Sequence, residues 1–361
     1  MNAETSPAPR PAGLRFRWAA ALRVGTFPTL VLLLVAALLL NAGMGAVAVS
    51  PVQVLGIVLE RLGLDTGIEY TTQQSNVVWL IRLPRIALAL AVGAGLGIAG
   101  AALQGIFRNP LADPGLIGVS SGGALGALFV ILVGVAPLGL ATLPVAAFLG
   151  AFVLTMVVYG LSRSDGKTEV VTLILTGVAL NAIAGGLMGL MNFYADDEQL
   201  RNMVFWLMGS LAGATWQGVL PATLLIAVGT ALLAIQGRAL NLLVLGEREA
   251  FHLGLSTERT RIVVIVMATL VAGASVAVAG IISFVGLVVP HFLRLTIGPD
   301  HRSLLPASAL GGAVLLLIAD LVARTIAIPA ELPLGVVTAL IGGPYFLYLL
   351  RRTRREQGGW G

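Results

Sequence analysis

Cysteine is absent from the 361 residues of this chain, and charged side chains make up only 11% of it. The missing thiols exclude disulfide bonds, zinc–thiolate sites and iron–sulfur clusters. A soluble domain carries about 25% charged residues. The shortage of charge therefore excludes a soluble enzyme, a secreted disulfide scaffold and a disordered chain. Lysine is almost missing too, since Lys167 is the only one among 22 basic residues.

Apolar residues make up most of the chain. They form 57% of the chain, with a mean hydropathy of +0.96, and they occur in long runs. A helix needs roughly 20 apolar residues to cross a bilayer, so we predict an all-α polytopic membrane protein with ten transmembrane helices. The predicted spans are 27–48, 84–107, 115–135, 141–161, 169–192, 204–236, 262–281, 283–297, 304–325 and 334–351. The sixth is long enough to be partly irregular, and the eighth is short and contains Pro290, His291 and Arg294.

Arginine and lysine counts predict the orientation of these spans. With the N-terminus inside, 17 of the 22 basic residues fall in inner segments, so both termini are expected in the cytoplasm. Residues 1–26 and 352–361 then form basic cytoplasmic tails, and residues 27–351 form a single transmembrane domain. The alternative, that the first span is a signal peptide cleaved near Ala46-Val47-Ala48, is disfavoured because its apolar stretch exceeds the usual signal length.

Small residues and a weak internal repeat in the sequence predict how the helices pack. Glycines at four-residue spacing favour close helix contacts in lipid, and they occur at Gly93/Gly97, Gly118/Gly122/Gly126, Gly185/Gly189 and Gly209/Gly213. The pair 99–100 precedes Pro110 by the same interval at which 279–280 precedes Pro290. This spacing suggests a half-chain repeat with broken helices, as found in transporters.

Few residues in this sequence point to chemistry. The three histidines lie in separate segments, which gives little support to a metal site. Asp320 and Arg324 share one helix face, and an ion pair within the helix is expected. The Gly-Lys-Thr at 166–168 lacks the glycine that a phosphate-binding loop requires at position 161, so no nucleotide is expected here. No basic stripe with interleaved aromatics favours nucleic acid.

Three polar segments interrupt the apolar pattern. They are Arg-Leu-Pro-Arg at 82–85, the stretch 104–123, and the inner loop 245–255. The inner loop reads as a short helix with a charged face that also carries Leu245, Phe251 and Leu253. A solvated loop does not need these apolar residues, whereas a helix that docks onto a soluble partner does.

These segments, in this order, resemble the permease family of type II ABC importers that carry iron–siderophore chelates, haem and cobalamin. The resemblance spans about residues 25–351. Its specific parts are RLPR at 82–85, QGIFRNPLADPGLIGVSSGG at 104–123, SFVGLVVPHFLRLTIGPDHRSLLP at 283–306 and ADLVARTIAIPAELPLGVVTALIGGPYFLYLL at 319–350.

The resemblance implies a homodimer in the bacterial cytoplasmic membrane with a central translocation path. Two copies of a cytoplasmic P-loop ATPase would supply ATP hydrolysis with Mg²⁺, and one periplasmic binding protein would deliver the cargo. The chain itself would have no catalytic residue, no metal site and no covalently bound cofactor. The positions matching the family's docking arginines are Arg82, Arg85 and Arg324. The positions matching its ATPase-coupling helix are Leu245, Gly246, Glu247, Arg248, Glu249, Ala250, Phe251, His252, Leu253 and Gly254.

The outer segment 194–216 is most similar to haem-importing members, which makes haem the expected cargo. Ferric siderophores and cobalamin remain open, because related permeases have similar segments. Methionine repacks around irregular shapes, and we expect a path lined by Asn109, Pro110, Ser120, Ser121, Met191, Met203, Phe205 and Met208.

Two other classes of protein remain as alternatives. A secondary transporter would place ionisable groups near the membrane midplane, and only the region of Asp320 qualifies, toward the outer end. An enzyme within the membrane would need a nucleophile–base or metal set. Ser120, Ser121 and His291 come from different helices and have no third partner.

Overall fold

Helices dominate the computed structural model, which describes residues 12–164 and 167–356. The α-helices are α1 Ala12–Gly43, α2 Pro51–Arg61, α3 Thr72–Asn76, α4 Leu83–Ile106, α5 Val119–Val133, α6 Thr142–Leu161, α7 Val170–Tyr194, α8 Asp197–Leu207, α9 Trp216–Ala234, α10 Gly237–Leu245, α11 Glu247–His252, α12 Thr257–Ala279, α13 Val285–Ile297, α14 His301–Thr325 and α15 Leu334–Glu356. A π-helix covers Val77–Arg82, and 3₁₀ turns cover Pro114–Ile117 and Gly139–Ala141. In the described ranges, two-residue strands β1 Arg163–Ser164 and β2 Lys167–Thr168 form an antiparallel hairpin.

The predicted all-α polytopic architecture is confirmed. Within residues 12–164 and 167–356, seven helical stretches are long and apolar enough to cross a membrane, and three shorter apolar helices accompany them at Val119–Val133, Val285–Ile297 and Leu334–Tyr348. Together these ten elements correspond to the ten predicted spans. The short eighth span is the 13-residue helix α13.

The sixth predicted span, 204–236, is not one helix. It contains the end of α8, a non-helical stretch at 208–215, and α9. Gly209 has φ of +68°, which ends the helical geometry there. A capping box between Asp196 and Gln199 starts α8 as a separate helix. Helix α2, whose capping box begins at Ser50, was not predicted from the sequence.

Helix α4 is the centre of the bundle, with 83% of its apolar window buried. Its glycines bring the backbones of neighbouring helices into contact: Gly93 faces Gly312 and Gly97 faces Ser308, both on α14. Gly100 faces Gly286 on α13. Because lipid supplies no hydrophobic force between helices, this close packing provides the attraction.

Of the other glycines predicted to pack against a helix, some do so and others do not. Gly122 and Gly126 of α5 face the backbone of α6, as expected. Gly185 and Gly189 of α7, by contrast, have no neighbouring atom within 4 Å of the position that a Cβ would occupy. Only 17% of the apolar window of α7 is buried, so this helix presents an uncovered face.

The predicted internal repeat does not correspond to equivalent structural elements. Gly100 lies inside α4 against α13, whereas Gly280 follows the last residue of α12 with φ of +69°. Pro110 stands in a loop, but Pro290 stands inside α13. The shared spacing therefore joins two different local structures.

We predict that Gly100→Ala destabilises the bundle, because its Cβ would overlap the Gly286 carbonyl oxygen. Overpacking of this kind costs about 1–3 kcal/mol, so the melting temperature in detergent should fall. Gly160→Ala in α6 is the matched control, since a Cβ there meets open space. Equal melting temperatures for the two variants would contradict this account of the α4–α13 contact.

Candidate functional site

Five charged side chains, which we call the arginine cluster, gather at the end of the bundle where α1 and α14 end and α4 begins. They line a cavity of about 260 Å³ and comprise Arg82, Arg85, Asp320, Arg324 and Glu331. The π-helix Val77–Arg82 leads into α4, where Pro84 occupies the first turn, a position suited to proline. The three arginines that the family resemblance selects are thus brought together.

Arg85 is held by two carboxylates. Its Nε donates to both oxygens of Asp320 at 2.9 and 3.1 Å, and its Nη1 donates to both oxygens of Glu331 at 2.8 and 3.1 Å. Charge-assisted contacts of this kind are among the stronger hydrogen bonds. The expected intrahelical pair is weaker, because Arg324 Nε lies 3.8 Å from Asp320. The main partner of Asp320 is therefore Arg85 of α4.

Arg82 and Arg324 turn toward the end of α1. Arg82 donates to the carbonyls of Ala42, Gly43 and Val47. Arg324 donates to the carbonyls of Asn41 and Met44, at 2.7 Å each. The last carbonyls of a helix have no partner within it and carry partial negative charge. Two of the predicted docking arginines thus cap α1, and their docking role stays a prediction.

The predicted coupling segment, residues 245–254, contains α11 and lies on the surface. Phe251 and Leu253 are 69% and 60% exposed, and Leu245 is exposed as well. Only Ala250 within α11 is buried. Contiguous exposed apolar residues rimmed by charge mark a surface for a partner. The role of this segment in ATPase coupling stays a prediction.

Arg261 fixes the coupling segment to the bundle. Its side chain is 5% exposed, and its Nη2 donates to Glu247, the first residue of α11, at 2.5 Å. Its Nη1 donates to the Thr168 carbonyl at 2.8 Å and to Glu258 at 3.1 Å. Glu258 in turn accepts from the Thr168 hydroxyl at 2.6 Å and from the Tyr159 hydroxyl at 3.1 Å. One arginine thereby joins α11, α12, β2 and α6.

Sequence analysis missed Arg261 and Glu258 as functional residues. The signal that was available is their three-residue spacing at the start of an apolar span, where charge is costly unless paired. Nothing in the sequence indicates that Glu247 and the 163–168 hairpin reach the same guanidinium.

The eight predicted path residues do not form one exposed lining in the single chain. Met203 is fully buried, whereas Phe205, two residues further along α8 and on the opposite face, is exposed. Asn109 accepts the Leu111 N–H at 2.9 Å, which shapes the loop after α4. The other five, partly buried, are Pro110, Ser120, Ser121, Met191 and Met208.

The loop before α5 is tied to α7 through residues that sequence analysis did not select. Asp113 accepts the Gly115 N–H at 2.8 Å and caps the 3₁₀ turn. Asn181 of α7 donates to the Gly115 carbonyl at 3.0 Å. Burial raises the pKa of the Asp113 carboxyl above its usual range, since the charged form loses hydration, although the Gly115 N–H partly offsets this.

Among the described residues, no group of three or more histidine, aspartate or glutamate side chains could hold a metal ion. His301 is buried, and its Nδ1 lies 2.9 Å from Asn241 Oδ1. His252 is exposed at the end of α11.

The profile of the FecCD transport family matches residues 32–352. The chain belongs to this family. It is the permease subunit of a type II ABC importer, a multi-pass membrane protein and not a catalytic enzyme.

Named relatives differ in cargo. This FecCD chain is 47% identical to the hemin transport system permease protein of Yersinia pestis over 286 residues, covering 78% of this chain and 85% of that protein. It is 45% identical to the cobalamin import system permease protein of Halobacterium salinarum over 294 residues, covering 80% and 76%. It is also 42% identical to the vitamin B12 import system permease protein of Escherichia coli over 294 residues, covering 81% and 89%.

A solved structure is similar across nearly the whole FecCD chain. It is described as an inward-facing conformation of a metal-chelate type ABC transporter, with 36% identity and a TM-score of 0.79. The alignment covers 90% of this chain and 98% of that one. The fold of the permease is therefore supported by sequence and structure together.

We predict that Arg261→Gln in this permease releases α11 from the bundle, because Glu247 and the Thr168 carbonyl lose their shared donor. Hydrogen exchange at 247–252 should rise about tenfold, as expected for loss of a charge-assisted contact of about 1.4 kcal/mol. Arg259→Gln is the control, since Arg259 is exposed on the same turn of α12. Exchange that is unchanged in Arg261→Gln would refute this role.

Proposed function

We propose that this chain is the transmembrane subunit of an ATP-driven importer that moves haem from the periplasm to the cytoplasm. The observation that carries the proposal is the coupling segment, whose exposed Phe251 and Leu253 project from a helix that Arg261 fixes to the bundle. A rigidly held apolar surface at the end of a membrane protein suits a partner that pushes on it. Family membership supports the same reading.

The charge distribution orients the molecule. Seventeen of 22 basic residues lie on the side of the coupling segment when both termini are cytoplasmic. The arginine cluster then faces the periplasm. This arrangement gives each end of the bundle one partner: an ATPase at the cytoplasmic end and a binding protein at the periplasmic end.

The cytoplasmic partner is a P-loop ATPase present in two copies, one for each permease subunit. Phe251, Leu253 and Leu245 are the anchors in its groove, and Arg248 and Glu249 supply polar contacts. A few anchors seated in well-packed pockets carry most of the energy of such interfaces. ATP and Mg²⁺ bind to that partner, and this chain contributes conformations with different affinities for its ATPase states.

A second copy of this chain covers the open face of α7. Gly185, Gly186 and Gly189 lie on that face with no heavy atom within 4 Å of an added Cβ. Small residues let helix backbones approach closely in lipid, so this surface suits a helix of the second copy. The translocation path then runs between the two subunits.

The periplasmic partner is a binding protein that carries acidic residues on its two lobes. Charges at an interface steer the encounter and set its register. Arg82, Arg85 and Arg324 outnumber the two acids of the arginine cluster, so the cavity carries a net positive charge. A carboxylate from the binding protein would balance it.

Haem is the proposed cargo because the 47% identical relative is a hemin permease. Exposed Phe205 and partly buried Met191 and Met208 offer apolar, polarisable contacts to a flat macrocycle. The cobalamin permeases at 45% and 42% identity make cobalamin the nearest competitor, followed by ferric siderophores.

Proton-coupled secondary transport is less well supported by the site. Asp320, the carboxylate that would carry the proton, is 2% exposed and paired with Arg85 at 2.9 Å. A proton carrier must alternate between water and its partner, whereas this carboxylate is enclosed and neutralised.

The importer proposal predicts that the chain purifies from its native membrane, after mild crosslinking, with two permease copies, two ATPase copies and one binding protein. The intact mass of the complex measures this composition. Phe251→Ala should reduce ATPase retention at least tenfold, because it removes a central anchor. Phe129→Ala is the control, since Phe129 is 56% exposed on α5, outside the coupling segment. Recovery of the chain without any ATPase would contradict the proposal.

The cargo is tested in proteoliposomes that contain the purified complex and its binding protein. We expect ATP-dependent uptake of haem to exceed that of cyanocobalamin and of ferric siderophores by at least tenfold. Uptake of cyanocobalamin or of a siderophore alone would replace haem as the cargo and leave the importer class intact.

A further inference from the structure

Two of the three nitrogens of the Arg85 guanidinium already donate to carboxylates of this chain. Asp320 accepts from Nε and Glu331 accepts from Nη1, and the Arg85 side chain is only 9% exposed. Among the described residues, Arg85 Nη2 has no acceptor, but a bidentate pair needs two neighbouring nitrogens. A carboxylate arriving from a binding protein can therefore form a bidentate pair with Arg85 only if one of the two internal carboxylates moves away.

The two carboxylates differ in how easily they leave. Asp320 lies inside α14 and is 2% exposed, so removing it from Arg85 would disturb a buried ion pair. Such a pair is costly to break. Glu331 is 41% exposed and lies in the turn between α14 and α15. Exposed pairs contribute little to stability, and a turn moves without loss of helical hydrogen bonds.

We propose that Glu331 is an internal substitute for a carboxylate of the binding protein, occupying Arg85 until docking displaces it. This inference rests on the proposed docking role of the arginine cluster. Three arginines and two acids leave the cluster one positive charge in excess. An incoming carboxylate at Arg85 replaces Glu331 one for one, so Arg85 keeps two carboxylate partners while Glu331 turns to solvent.

Displacement of Glu331 acts on a segment that continues toward the proposed path. Glu331 is three residues before Leu334, the first residue of α15. The N–H groups of Leu334 and Gly335 donate to the carbonyls of Gly209 and Met208, at 2.9 and 3.0 Å. The turn that Glu331 holds is thus connected to the non-helical stretch after α8. Docking at Arg85 therefore reaches the residues proposed to contact cargo.

The binding protein is first identified in the crosslinked complex and then prepared separately without cargo. The test measures its affinity for the permease complex in lipid nanodiscs. Glu331→Gln should bind roughly two- to fivefold more tightly, the gain from removing a competing ion pair whose carboxylate is partly exposed. Glu331→Asp keeps the charge but shortens the side chain, and it should also bind more tightly. Arg85→Gln should bind more weakly. Glu69→Gln is the charge control, because Glu69 is an exposed acid in the segment between α2 and α3.

Each outcome has a distinct meaning. Unchanged or weaker binding by both Glu331 variants, with weaker binding by Arg85→Gln, overturns the displacement while the docking role survives. If Glu69→Gln and Glu331→Gln increase the binding affinity equally, the effect comes from the loss of any negative charge, and this result also overturns the displacement of Glu331. If Arg85→Gln binds normally, or the wild-type complex binds no such protein, the docking role itself fails. Size-exclusion profiles of all variants report their folding.

Discussion

The close approach of backbones along α4 is the constraint on which the rest of the structure depends. Lipid gives helices no hydrophobic reason to associate, so the bundle relies on contact at short range. Gly93, Gly97 and Gly100 bring α13 and α14 against α4. These contacts place Asp320 of α14 beside Arg85 of α4. The ion pair is thus a consequence of glycine packing several turns away.

Charge in this protein is concentrated at the two ends, and at each end a buried arginine joins segments far apart in sequence. Arg85 joins α4 to α14 and the following turn, and Arg261 joins α11 to the 163–168 hairpin. Each buried arginine adjoins exposed groups that could meet a partner. The buried arginine holds the surface in place, and the exposed residues are the ones we propose to contact a partner.

The sequence was sufficient for features that depend on local composition. The ten spans follow from apolar runs, and the exposed position of the 245–254 segment follows from its charged residues. Pairing between distant residues was beyond it, because Arg85 and Asp320 are 235 residues apart and only the packing of α4 on α14 joins them. The contact of Arg82 with the carbonyls at the end of α1 could not be predicted for the same reason. The break at Gly209 needed a backbone dihedral angle, which an apolar run does not reveal.

The arginine caps on α1 have a consequence for synthesis of the chain. The carbonyls at the end of α1 receive Arg82 after a further 40 residues, but Arg324 only after about 280. At ribosomal rates of about 5–20 residues per second, the second cap arrives roughly 15–60 s after α1 has been made. Until then water at the membrane surface must hydrate these carbonyls. The end of α1 is therefore fully capped only after α14 has been synthesised and has packed beside it.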